Sequence, residues 1–280
     1  MRARLPTAIV IGASKSGTTS LHSYLDAHPE VGMSQPKELN FFDHEDHLDR
    51  LDWYLSHFDP GFPVRGESSP NYSKFPRLSG QPERMRSLIP DAKLIYMVRE
   101  PIARTIAHWA HNVAANTESR PAEQAVLDPD PRNVYLCASS YATQVDRYLA
   151  HFPAERILVV DQHLLRHRRR ETLRTVFGFL GVDVDFWSSD FDLELNPGSD
   201  QRRLLGIGDL LLRSPPAALL RRLPEGPRGR LRAIARRALS RQVAQPEASP
   251  AVRSHLERVL TPEAERLREL TGQSFETWSI

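Results

Sequence analysis

Short apolar runs alternate with stretches of helical spacing through the first two thirds of the chain. Thr7 to Ile11 is β-branched and bounded by Pro6 and Gly12, which predicts a buried parallel strand. Thr18 to Ala27 follows with Leu21, Tyr24 and Leu25 at helical spacing and stops before Pro29. Gly32 to Asp43 predicts an extended or irregular stretch, and Leu48 to Phe58 a helix. Val64 to Ser69 predicts a second strand stopped by Pro70, and Pro82 to Ile89 a helix. Lys93 to Val98 is the clearest central strand, with a helix from Ile102 to Ala115 behind it. Asn116 to Asn133, rich in Pro, Asp and Glu, predicts a loop or mobile lid. Ser140 to His151 predicts a helix, Arg156 to Val160 a buried strand, and Arg168 to Leu180 a helix closed by Gly181.

Strands alternating with helices imply an α/β fold: a P-loop-type central parallel β-sheet flanked by helices. The expectation is one domain over 1–280. Its α/β core spans 7–195, and an Arg-rich, mostly helical C-terminal part spans 196–280. In that part, Asp200 to Gln242 is broken by Pro215-Pro216 and by Pro224 and Pro227, which predicts short helices beside the site. Pro262 to Leu270 predicts a final charged helix.

Composition narrows the function classes. The chain has 280 residues, 40% of them hydrophobic and 26% charged, with a net charge of +2. That balance is too mild to argue for nucleic acid as a partner, and it suits a multiply anionic small molecule. The single cysteine, Cys137, and the lack of a signal-peptide pattern predict a cytoplasmic protein. No apolar stretch predicts stable membrane insertion. Nothing in the sequence points to an oligomeric state. The lysines are Lys15, Lys37, Lys74 and Lys93, and arginine supplies the other basic side chains.

The first strand runs into Gly12-Ala13-Ser14-Lys15-Ser16-Gly17-Thr18-Thr19, two glycines five apart and then hydroxyls opening a helix. Backbone N–H groups and the dipole of such a helix start favour phosphate. The plain alternative is a tight turn. In a nucleoside-triphosphate P-loop a lysine follows the second glycine. Here Thr18 stands there, and Lys15 lies two residues before Gly17.

The run Ile9 to Leu21 resembles the 5′-phosphosulfate loop of sulfotransferases that use 3′-phosphoadenosine-5′-phosphosulfate (PAPS), in the branch that includes heparan sulfate and bacterial enzymes. The resemblance implies sulfuryl transfer without a metal. It also implies that Lys15, Ser16, Gly17, Thr18, Thr19 and Ser20 hold the 5′-phosphosulfate, with Lys15 stabilising the leaving phosphate oxygen. Tyr96-Met97-Val98-Arg99-Glu100-Pro101 and the helix after it resemble the family's second signature. By that match Arg99 binds the 3′-phosphate. The family's serine eight residues on is Ala107 here, so its hydroxyl is missing or is supplied by a neighbour such as Thr105. Arg104 is either part of that site or a structural ion-pair residue.

Pro36-Lys37-Glu38-Leu39-Asn40-Phe41-Phe42-Asp43 resembles the segment that carries the family's catalytic base, which implies Glu38. Apolar neighbours Leu39, Phe41 and Phe42 would desolvate that carboxylate and raise its pKa. Gly66 to Tyr72 matches another stretch at the site, with Ser68 where glycosaminoglycan enzymes often carry lysine. A small-molecule or glycan acceptor fits both facts. His108 and His111 share a helical face, and His108 is a reserve candidate for the base. His44-Glu45-Asp46-His47 lacks the spacing of a helical zinc motif.

Two other classes stay open. A P-loop kinase would need a lysine after Gly17 and an apolar strand ending in a magnesium-binding Asp. A basic binding module would use the arginines from Arg202 to Arg241 against an anionic polymer or membrane.

Overall fold

The computed structural model describes residues 4–192, 202–204, 240–242 and 248–280. Five parallel strands form the sheet: β1 (Ala8–Gly12), β2 (Val31–Met33), β3 (Val64–Ser68), β4 (Lys93–Val98) and β5 (Ile157–Asp161), in the order β2-β3-β1-β4-β5. The chain leaves β1 toward one edge and later returns to its other side. The crevice for a ligand in such a sheet lies at the carboxyl ends of the strands around that reversal.

Strand alternation buries both faces. Ile9, Ile11, Leu94, Tyr96 and Val98 point into one core with Phe41, Phe42, Tyr72, Tyr141 and Trp278. Ala8, Val10, Ile95 and Met97 point into the other with Leu21, Tyr24, Leu173 and Phe177. Among the five strands of this sheet neither face is open to solvent, which is why β1, β4 and most of β5 read as apolar runs, whereas β3, Val-Arg-Gly-Glu-Ser, buries polar side chains instead.

The helices are α1 (Thr18–Asp26), α2 (Leu51–Leu55), α3 (Gln81–Leu88), α4 (Pro101–Ala114), α5 (Ala122–Val126), α6 (Val134–Cys137), α7 (Tyr141–Leu149), α8 (Gln162–His167), α9 (Arg169–Leu180) and α10 (Pro250–Thr271). Short 3-10 turns at Phe41–Asp43 and Pro70–Ser73 follow β2 and β3.

Several expectations change. The helix over Leu48 to Phe58 is a 3-10 turn, His47–Arg50, followed by the five-residue α2. The segment Asn116 to Asn133 is no open loop. It contains α5, and Arg120 bridges Glu118 at 2.9 Å and Asp128 at 2.7 Å. Two of its four acids, Glu118 and Asp128, are thus partners of one arginine. The last helix begins at Pro250, because Val252, Leu256, Leu260, Ala264 and Leu267 form one buried stripe through Pro262. Each buried leucine of that stripe stabilises the fold by about 2 kcal/mol, enough to offset the hydrogen bond that Pro262 removes. Of Asp200 to Gln242, most lies outside the described residues. Arg202–Leu204 (β6) and Ser240–Gln242 (β7) pair as antiparallel strands, where short helices were expected. The arginines proposed for polymer binding fall mostly outside the described residues as well.

Candidate active site

The phosphate loop is shaped by two glycines. Gly17 caps α1 at φ 87°, a left-handed conformation that costs a side-chain residue energy. At Gly12 a Cβ would lie 1.8 Å from Ser73 Oγ, so the turn after β3 sits directly on the loop. Lys15, at φ 72°, is itself left-handed at the loop tip. Ala13 N–H donates to Met97 O at 2.7 Å, tying the loop to β4. Ser16 is fully buried beside the Tyr141 hydroxyl, and Thr18, Thr19 and Ser20 open α1. Leu21 N–H donates to Gly17 O at 3.1 Å, so Gly17 begins the helix and the backbone ahead of Leu21 forms its loop end, where a helix carries partial positive charge.

At the end of β4 the chain turns sharply. Glu100 caps α4, accepting from the Ala103 N–H and, at 3.0 Å, from the Ser279 hydroxyl, while Pro101 opens the helix. This leaves Arg99 at the strand end, where its carbonyl accepts from Tyr141 Oη–H at 2.9 Å. The Arg99 guanidinium has no hydrogen bond or ion pair among the described residues. Burial pushes its pKa down, and Arg166 adds to the same direction. Ala107 is 2% exposed and brings no polar group. Thr105 does not replace the missing serine. Its hydroxyl is buried and bonded to Pro101 O at 2.9 Å and Ser139 Oγ at 2.7 Å.

Arg104 is 0% exposed and forms no ion pair among the described residues, so of the two alternatives the structural ion pair finds no partner there. Nε donates to Ser139 Oγ at 2.7 Å, Nη2 to Tyr135 O at 2.6 Å and Nη1 to Ser14 O at 3.4 Å. It thus braces the phosphate loop from below with neutral partners alone. Nη1 also donates to His108 Nδ1 at 3.3 Å. The imidazole must therefore accept at Nδ1 and carry its proton on Nε2. Burial and the Arg104 charge hold His108 well below its usual range. His108 is 3% exposed, and its Nδ1 serves as a hydrogen-bond acceptor for Arg104. His111, half-buried one turn on, is lowered to about 4 by burial and then by Lys15 and Lys74.

The Glu38 segment departs from expectation in one respect. Leu39, Phe41 and Phe42 turn into the core, at 4%, 0% and 0% exposure, and so do not cover the carboxylate. Glu38 points outward, 48% exposed, and pairs with Lys37 Nζ at 2.8 Å. The segment is held by a residue that the sequence reading did not single out. Glu67, buried in β3, accepts from the Leu39 N–H at 3.3 Å, Tyr54 Oη at 2.7 Å and Tyr72 Oη at 3.0 Å, and also from Ser69 Oγ. Burial raises its pKa, and these hydrogen bonds oppose the rise. Ser68 is buried and shares a 3.0 Å hydrogen bond with His22 Nδ1.

Lys15 carries the most informative charge. Burial lowers its pKa to about 8, against the pull of Glu38 and with Lys37, Lys74 and Arg104 adding to the fall. Lys15, Lys74, Arg99 and Arg104 are four cations at the carboxyl edge of the sheet, and none has a carboxylate at ion-pair distance among the described residues. Desolvating like charges without partners is costly, and a bound polyanion repays it. Asp161 ends β5, as a magnesium-binding Asp of a kinase would. However, its carboxylate caps α8 through the His163 N–H at 2.9 Å. Among the described residues no cluster of His, Cys, Asp and Glu could hold a metal. No described helix is long and apolar enough to cross a membrane.

A parallel sheet with a glycine-bounded loop at its reversal and a guanidinium at the end of the next strand is a P-loop-type arrangement suited to an anionic ligand. The match to a known family is direct: residues 5–195 fit the sulfotransferase domain, and the chain belongs to that family. The bifunctional heparan sulfate N-deacetylase/N-sulfotransferase 1 of Xenopus tropicalis is 28% identical over 198 residues, covering 64% of this chain. The human N-deacetylase/N-sulfotransferase 3 is 29% identical over 202 residues. The chain spans 22% of the length of these relatives. A sulfotransferase from Alicyclobacillus acidocaldarius has the same fold, with a TM-score of 0.68 at 22% identity, covering 99% of each chain. The chain is thus a member of the sulfotransferase family through its residues 5–195.

Proposed function

We propose that this chain transfers a sulfuryl group from PAPS to a hydroxyl or amine of a small-molecule or carbohydrate acceptor, releasing adenosine 3′,5′-bisphosphate. The four uncompensated cations around the phosphate loop carry the reading. In it, Lys15 and the N–H groups from Ser16 to Ser20 take the 5′-phosphosulfate, and Arg99 takes the 3′-phosphate. Glu38 receives the acceptor proton as the acceptor oxygen or nitrogen bonds to sulfur. The bond from sulfur to the bridging oxygen breaks, and its electron pair leaves on the phosphate, which Lys15 stabilises. No step requires a metal.

The acceptor class rests on weaker ground. The relatives' names give heparan sulfate, and Ser68 stands where glycosaminoglycan enzymes often have lysine. The reading therefore covers smaller acceptors too. A cytoplasmic location belongs to the same proposal and is supported by the single cysteine.

Thermal shift is the first test. Stabilisation by adenosine 3′,5′-bisphosphate without magnesium supports the reading, and stabilisation only by ATP with magnesium overturns it. Transfer from labelled PAPS to a panel of glycans, lipids and aromatic metabolites then identifies the acceptor. Full transfer by Lys15→Ala would refute the role given to that residue.

A further inference from the structure

Strand order sets the order of the groups along the active edge. The segment after β2 carries Glu38, the turn after β3 carries Lys74, the loop after β1 carries Lys15, and β4 ends in Arg99. Neighbouring strands place these segments side by side. Lys74 therefore stands between the carboxylate proposed as base and the ammonium proposed for the leaving group. Nothing in the resemblance or the family match assigns it a role.

We propose that Lys74 is a second cation of the reaction centre, donating to the oxygens of the sulfuryl group while Lys15 serves the bridging oxygen. This rests on the PAPS reading above.

Three observations support the placement. Ser73, the preceding residue, packs its Oγ into the space that Gly12 leaves open, so the backbone of Lys74 is locked to the phosphate loop. Helix α7 clamps the same turn: Tyr148 Oη donates to Tyr72 O at 2.9 Å, and Gln144 Oε1 accepts from the Phe75 N–H at 3.1 Å. The ammonium itself is half-buried and donates to Asn71 Oδ1, a neutral partner. It forms no ion pair among the described residues, although Glu38 and Asp43 lie within its field. Its charge adds to the lowering of the pKa values of Lys15, His108 and His111. Burial lowers its pKa, as expected of a cation kept without a counter-charge.

Chemistry favours the assignment. A compact ammonium with three donors can follow oxygens that move as the group inverts, whereas a planar guanidinium fixes one bidentate geometry. In a chain whose basic residues are nearly all arginine, Lys15, Lys37 and Lys74 converge on this one site.

PAPS and adenosine 3′,5′-bisphosphate differ by the sulfuryl group alone, so paired calorimetric titrations at pH 7 isolate the effect. Lys74→Met is expected to weaken PAPS binding on the order of tenfold to a hundredfold while changing bisphosphate binding by about twofold or less. Lys74→Arg, which keeps the charge, is expected to recover most of the loss. If Lys74→Met does not fold, Lys74→Gln should show the same split. Equal losses for both ligands, or no loss for either, would overturn the inference and leave the donor assignment standing. A wild-type protein that binds neither nucleotide would overturn both.

Discussion

The buried carboxylate of Glu67 accepts the backbone N–H of Leu39 at 3.3 Å, next to the exposed Glu38. One side chain thus joins the centre of the sheet to the segment that carries the proposed base. The same carboxylate gathers Tyr54, Tyr72 and Ser69, so four donors converge on two oxygens.

Removing that node leaves two tyrosine hydroxyls and a backbone N–H buried without an acceptor. Glu67→Ala is expected to cost about 3 kcal/mol of stability, with transfer activity falling further than the loss of folded protein explains. Urea denaturation followed by kcat measurement on the folded fraction checks both parts. A variant as stable as the wild type would show that the node is not structural.

The lowered pKa of Lys15 gives nucleotide binding a pH dependence of definite sign. The amine is charged below about 8 and neutral above it, so affinity for adenosine 3′,5′-bisphosphate, whose phosphates are already fully ionised by then, falls as pH rises from 7 to 9. The expected drop is roughly threefold to tenfold. Titrations across that range measure it, and Lys15→Met should flatten this limb. A rise in affinity with pH would contradict the assignment.

By the sequence resemblance a serine hydroxyl would stand at Ala107 against the 3′-phosphate, and Thr105 is committed to Pro101 and Ser139. Ala107→Ser is therefore expected to tighten adenosine 3′,5′-bisphosphate binding on the order of tenfold, the effect of one hydrogen bond to a charged group. Calorimetry decides it. Unchanged affinity would mean that this position does not face the phosphate.

Most of the sheet was legible because strands buried on both faces are largely apolar, and the runs ending at Gly12, Val98 and Asp161 are short and bounded by breakers; β3, with Arg65 and Glu67, was marked only by its breaker Pro70. The shape of the loop after β1 and the place of Arg99 just past β4 were legible for a related reason: both are local, so glycine spacing and residue order report them directly. Helix α10 was less so, since Pro262 marks a start in isolation and only packing of the stripe from Val252 to Leu267 carries the helix through it.

Local sequence also determined which residue types are available at the edge, including the few lysines. What it left open was their partners. Arg104 resembled an ion-pair residue and proved to be bonded only to neutral groups. The apolar neighbours of Glu38 pointed inward rather than over it, and Lys74 joined Lys15 from a turn nearly sixty residues away. Charge compensation and desolvation depend on what lies across a few ångströms of space. Only the packing of β3 against β1 decides that for groups so far apart in the chain.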